Sequence, residues 1–92
     1  MGAMRKSIHT VEYKAMCEVL RQIREEAGLS QRALASRLKV SPSWVAKVEM
    51  GERRVDVVEF LRFVRACGGD AEAAFSEVAR RLKPPVQRRG RA

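Results

Sequence analysis

Two helix-start signals, Ser30-Gln31 and Ser41-Pro42, stand eleven residues apart in mid-chain and constrain the fold more than any other feature. Serine at either position supplies a side-chain oxygen that accepts from the free backbone N–H groups of a first helical turn. Pro42 follows Ser41 at the first helical position, where its missing N–H goes unfelt. Gly28, before the first signal, suits the left-handed position after an earlier helix, and Gly51 ends the segment. The segment therefore predicts a helix over Gln31–Leu38, a turn of three residues, and a helix from Pro42 to Glu49 or Met50. Leu34, Ala35 and Leu38 face inward on the first of these, Val45 and Val48 on the second. Ala35 is small where two helices cross closely. Two short helices joined by so tight a turn have helix-turn-helix geometry.

The flanks are helical as well. Between Thr10 and Ala27, Met16, Leu20, Ile23 and Ala27 fall at spacings of 4, 3 and 4, one face of a helix capped by Thr10. Val19 widens that stripe and Cys17 sits near its edge. Asp56 and Glu59 form a capping-box pattern. The helix behind it carries Val57, Phe60, Leu61, Val64 and Cys67 on one face, and Gly68-Gly69 stops it. Asp70 caps a last helix with Ala71, Ala74, Phe75, Val78 and Leu82 inward, before Pro84-Pro85 blocks continuation. The expectation is an all-α fold of five helices with no strand. At 92 residues this is one small domain, burying about 60% of the surface of its unfolded chain, too little for a large multi-layer enzyme fold. The expected organisation is a flexible segment 1–9, a folded unit 10–82 and a disordered basic tail 83–92. Gly2-Ala3 reads as a cloning remnant ahead of Met4 as the natural start.

The net charge is +8, and it is unevenly placed. Residues 30–54 hold six basic and two acidic side chains, residues 83–92 four basic and none acidic, while the rest is near neutral. A basic segment beside neutral ones marks a polyanion binder, with nucleic acid the commonest partner and an anionic membrane surface the other. No lipidation motif or basic amphipathic helix supports the membrane, no apolar run is long enough to span one, and no secretory signal is visible. Two cysteines 50 residues apart and one histidine, His9, cannot supply a zinc site, and His9 has no partners at triad spacing. The expectation is no enzyme, no cofactor and no metal, with Cys17 and Cys67 as buried thiols in a reducing cytoplasm.

Several ordered positions then agree at once: Leu20 and Arg24, Gly28-Leu29-Ser30-Gln31, Leu34-Ala35, Leu38, Val40-Ser41, Val45, Val48-Glu49, Gly51 and Arg53-Arg54. Through them residues 19–70 resemble the Cro/Xre-like phage-repressor family of helix-turn-helix DNA-binding proteins. The resemblance implies a compact lambda-repressor-like domain whose helix 42–49 enters the major groove of double-stranded DNA. It implies base contacts from Pro42, Ser43, Trp44 and Lys47, and phosphate contacts from Gln31, Arg32, Arg37, Lys39, Ser41, Arg53 and Arg54. Trp44 either meets a base or sugar or folds back onto the domain. Gln31 either binds a phosphate or is a plain surface residue. Only Ser43 and Lys47 are polar readers, so DNA shape carries part of the specificity. Arg24 and Glu49 correspond to a structural salt bridge of the family. Three positions depart from the pattern: Lys39 stands where glycine is usual, Ala33 replaces an acidic capping residue, and Val55 a frequent proline.

The implied function is a sequence-specific transcriptional regulator at the nucleoid, acting as a homodimer on an inverted repeat with half-sites about 34 Å apart. Phe63, Phe75 and Val78 are candidates for the dimer surface, unless they complete the core. An antitoxin that binds both its operator and a partner toxin is the alternative, although the tail is too basic for a typical toxin-masking segment. The tail is expected to add non-specific DNA affinity.

Overall fold

The computed structural model describes residues 10–82; the expected flexible segment 1–9, His9 and the basic tail 83–92 lie outside them. Five helices follow in order: α1 Val11–Glu26, α2 Gln31–Leu38, α3 Pro42–Glu49, α4 Val57–Ala66 and α5 Ala71–Arg81. No strand occurs among the described residues.

Every helix begins at a side-chain cap. Thr10 Oγ1 accepts from the Tyr13 N–H at 3.0 Å, Ser30 Oγ from Ala33 at 3.0 Å, and Ser41 Oγ from Trp44 at 3.1 Å. Asp56 and Glu59 cap one another reciprocally: the Glu59 N–H donates to Asp56 Oδ1 at 2.7 Å, and the Asp56 N–H to Glu59 Oε1 at 3.0 Å. Asp70 Oδ1 accepts from the N–H groups of Glu72 and Ala73. Such a cap is worth about 1 kcal/mol.

The first four helices also end alike. A backbone N–H beyond the helix reaches back five residues: Leu29 to the Arg24 carbonyl, Val40 to Ala35, Glu52 to Lys47 and Gly69 to Val64. This closure needs a left-handed residue just before the donor. Three of the four are glycines, at φ 74°, 76° and 77°; the fourth is Lys39, at φ 61° and ψ 44°. Lys39 is the one non-glycine with positive φ among the described residues. Its β-carbon crowds the following carbonyl, a strain of about 1–2 kcal/mol.

The helices close on a core whose largest fully buried side chains are Leu20, Leu34, Val45, Val48, Phe63 and Val64. Helix α2 lies against α3 and α4, while α1 runs across α3, α4 and α5. Ala35, Ala71 and Ala74 are buried too, and their small size permits these approaches. Four orientations differ from expectation. Phe63, a candidate for a dimer surface, is 0% exposed and belongs to the core. Val57 and Phe75, expected inward, are 69% and 62% exposed. Ala27, at the end of the first stripe, is exposed. Val78 is buried in the same core. The physical reason in α4 is that apolar side chains surround most of its circumference. Packing against its neighbours, rather than periodicity, selects Phe60, Phe63 and Val64 for the interior. Cys17 and Cys67 are buried, unlinked thiols, and burial raises the pKa of both.

Candidate nucleic-acid interface

Helix α3 presents an exposed face that carries Pro42, Ser43 and Lys47. Ser43 and Lys47 are four residues apart and so share one side of the helix. Val45 and Val48, fully buried, fix the opposite side to the core. Ser41 is exposed at the helix start; its oxygen holds the Trp44 N–H, and a hydroxyl can accept in one direction and donate in another.

The last residue of α3 anchors the motif. Arg24 Nε donates to Glu49 Oε2 at 2.6 Å and Arg24 Nη2 to Oε1 at 3.0 Å, a bidentate pair between α1 and α3. Gln31 Nε2 donates to the same Oε1 at 2.9 Å, joining the first residue of α2. Arg24 Nη1 donates to the Leu29 carbonyl at 2.8 Å, which ties in the α1–α2 turn. The side chains are 10% (Arg24) and 2% (Glu49) exposed. The hydrogen bonds that Arg24 donates to Glu49 raise the pKa of Arg24, against the opposing effect of burial. Gln31 thus holds a carboxylate of its own domain, where the sequence suggested a phosphate or plain solvent.

Beyond α3 the chain runs through residues 50–56 to α4. Arg53 lies over the Trp44 ring, its guanidinium carbon 5.1 Å from the ring centre. The same guanidinium donates to the Arg54 carbonyl at 2.6 Å and approaches Glu59 Oε1 at 3.3 Å. Arg54 lies over the Tyr13 ring at 5.5 Å. The Tyr13 hydroxyl accepts from the Val55 N–H at 2.9 Å and stands 3.5 Å from the Arg53 carbonyl. Burial raises the Tyr13 pKa, and the hydrogen bond from Val55 acts the other way. Trp44 is half-buried: part of its ring packs against the core and the rest is exposed.

The remaining cations divide. Arg32 and Lys39 are exposed on and just after α2, on the helix pair that presents α3. Arg37 Nη1 donates to the Ala66 carbonyl at 2.7 Å, so it caps the end of α4. The structure brings Pro42, Ser43, Lys47, Trp44 and Arg53 onto α3 and its exit, and turns Arg37 towards another helix. Tyr13 went unnoticed in the sequence: its partners are about 40 residues away, and a single tyrosine on α1 carries no local signal. Among the described residues no group of three or more His, Cys, Asp or Glu side chains is placed to hold a metal ion, and no helix is long and apolar enough to cross a membrane.

Residues 15–75 match the family described as the helix-turn-helix domain. Over 63 residues, 68% of this chain, the sequence is 40% identical to the HTH-type transcriptional regulator RamB of Mycobacterium tuberculosis, in strains CDC 1551 / Oshkosh and ATCC 25618 / H37Rv. The chain spans 13% of the length of RamB. The fold superposes on an XRE-family like protein from Pseudomonas syringae pv. tomato str. DC3000 with a TM-score of 0.75 and 38% identity, covering 90% of this chain and 100% of that one. The clp gene regulator ClgR from C. glutamicum shares the fold, with a TM-score of 0.70 and 24% identity over 80% of this chain and 96% of its own.

Proposed function

The chain belongs to the XRE-like helix-turn-helix DNA-binding family, and from that premise we propose that it is a sequence-specific transcriptional regulator that binds operator DNA as a homodimer, with α3 in the major groove. One observation carries the reading. The only exposed polar side chains in the first two turns of α3, Ser43 and Lys47, stand on a helix whose other face is buried and whose last residue is bolted to α1 and α2. A rigid helix with a solvent-facing cation and hydroxyl fits a groove about 12 Å wide. Pro42, Ser43 and Lys47 face the base edges, with Lys47 suited to guanine. Arg32, Lys39, Ser41, Arg53 and Arg54 meet phosphates, which set position and register without reading sequence.

A shallow groove of about 180 Å³, lined by Met16, Val55, Phe60, Leu61, Phe75 and Val78, lies between the start of α4 and α5. Its walls are almost wholly apolar, and exposed Val57 and Phe75 border it. A second copy packs there, which places two recognition helices on one duplex. A regulator of this kind works in the cytoplasm at the nucleoid, where its cysteines stay reduced.

Selection of duplex DNA from a random library by the purified protein, at about 150 mM salt, tests the reading, because non-specific binding is already weakened there. The expected result is an enriched inverted repeat with half-sites about one helical turn apart. Salt-sensitive binding with no enrichment overturns sequence specificity and redirects the search to a protein partner.

A further inference from the structure

We infer that Trp44, Arg53 and Glu59 form a preset phosphate contact at the exit of α3, in which Trp44 acts on DNA through Arg53 and the Glu59 carboxylate competes with the phosphate for the same guanidinium. The inference rests on the proposed DNA-binding function and deepens it: Trp44 and Glu59 are positioning residues, and Trp44 reads no base. Arg53 is held at four points. Its backbone N–H donates to the Lys47 carbonyl of α3 at 3.2 Å. Its guanidinium carbon lies over the Trp44 ring, 5.1 Å from the centre. Its Nη1 donates to the Arg54 carbonyl at 2.6 Å and to Glu59 Oε1 at 3.3 Å. Both side-chain donations use Nη1, and Nε and Nη2 donate to nothing among the described residues.

A guanidinium is a planar fork of five donors, and the part of Arg53 that is unengaged suits a phosphate. Holding the side chain on the indole beforehand removes part of the rotamer entropy that phosphate binding would otherwise take away. The Glu59 contact is of another kind. At 3.3 Å it is longer than the 2.7–2.9 Å or so of a close ion pair, and the two side chains are 41% and 28% exposed, so water reaches the pair. Such a pair is weak and exchangeable. The same Glu59 oxygen takes the Asp56 N–H at 3.0 Å in the α4 cap. That bond keeps the carboxylate in place when Arg53 turns to another anion. Glu59 therefore lowers the affinity for every duplex alike, because a phosphate contact carries no base information.

The test is a pair of double-mutant cycles on binding to two duplexes of unrelated sequence, read as dissociation constants and salt slopes, so it needs no operator. Arg53→Ala is expected to lower the salt slope by about 0.9 for its one phosphate. Trp44→Leu is expected to weaken binding about two- to tenfold, equally on both duplexes, with no further loss in the Arg53→Ala background. Trp44→Phe keeps an aromatic plate without the indole N–H and is expected to recover most of that loss. Glu59→Gln keeps an oxygen for the α4 cap and is expected to bind about two- to fivefold more tightly, a gain that disappears with Arg53→Ala. Four results overturn the inference and leave the DNA reading standing: an unchanged slope in Arg53→Ala, additive losses from Trp44→Leu and Arg53→Ala, a Trp44→Leu loss that differs between the duplexes, or a Glu59→Gln gain that survives Arg53→Ala. A parent protein that binds neither duplex overturns both. If Trp44→Leu fails to fold, Glu59→Gln decides: binding equal to the parent overturns the inference.

Discussion

Replacing Glu49 by alanine should remove a large part of the stability of this domain. The carboxylate is 2% exposed and accepts three hydrogen bonds, two from Arg24 and one from Gln31. Its loss strands a guanidinium that is 10% exposed and keeps only the Leu29 carbonyl among these partners. Breaking a buried pair in this way costs about 3–5 kcal/mol. The residual exposure of Arg24 and its bond to Leu29 favour the lower end, near 3 kcal/mol. A domain of 73 described residues has a total stability of roughly 4–11 kcal/mol. In thermal unfolding followed by circular dichroism, a loss of about 3 kcal/mol lowers Tm by at least about 12 °C. The companion variant replaces both partners, Arg24→Met with Glu49→Leu. Apolar side chains of similar volume then fill the site and no charge is stranded, so the double variant should recover to within about 1.5 kcal/mol of the parent. A loss below about 1 kcal/mol in Glu49→Ala would refute the reasoning, because the pair would then behave like a surface ion pair. A double variant no better than the single one would also refute it.

Lys39→Gly relieves the left-handed strain at the α2 closure and adds unfolded-state freedom, for a net gain of about 0.5–1 kcal/mol seen as a higher Tm. The same variant should bind DNA less tightly at low salt, since a cation beside α3 is gone. Phe63→Ala should cost about 3–5 kcal/mol, because that ring is fully buried. Phe75→Glu should leave the helical fold intact and convert the proposed dimer to monomer in sedimentation; an unchanged dimer would exclude the groove as the interface. The Glu77 carboxyl is held below its ordinary pKa by hydrogen bonds from Arg81 and then Arg80. Its contribution to α5 is therefore complete above the ordinary carboxylate range and lost as the pH falls below it. Melting curves of the parent and Glu77→Gln should differ at pH 7 and converge near pH 2, with no convergence telling against the assignment.

The helix boundaries were legible because the groups that set them are local. A serine, threonine or aspartate acts on an N–H two or three residues away, and a closure spans six. The orientation of α4 was harder. Val57, Val58, Phe60, Leu61, Phe63 and Val64 offer more apolar surface than one stripe, and only docking against neighbouring helices decides that Phe63 goes in and Val57 stays out. The site divides in the same manner. That Pro42, Ser43 and Lys47 share an exposed face follows from the spacing of one helix, while their reading as DNA contacts comes from the family resemblance. Gln31 on Glu49, Arg37 on Ala66 and Tyr13 on Val55 join residues 18, 29 and 42 positions apart, and no local pattern encodes such meetings.

The bond cluster at Glu49 also has a kinetic consequence. Helix α3 ends on a carboxylate shared by α1 and α2, so the surface proposed to enter the groove has no hinge of its own. Arrival at DNA then needs no slow rearrangement of the protein. The association rate is set by diffusion and by the steering field of the basic surface, and varies with ionic strength more than with base sequence. Operator and unrelated duplex should be distinguished by how long the protein stays rather than by how quickly it lands.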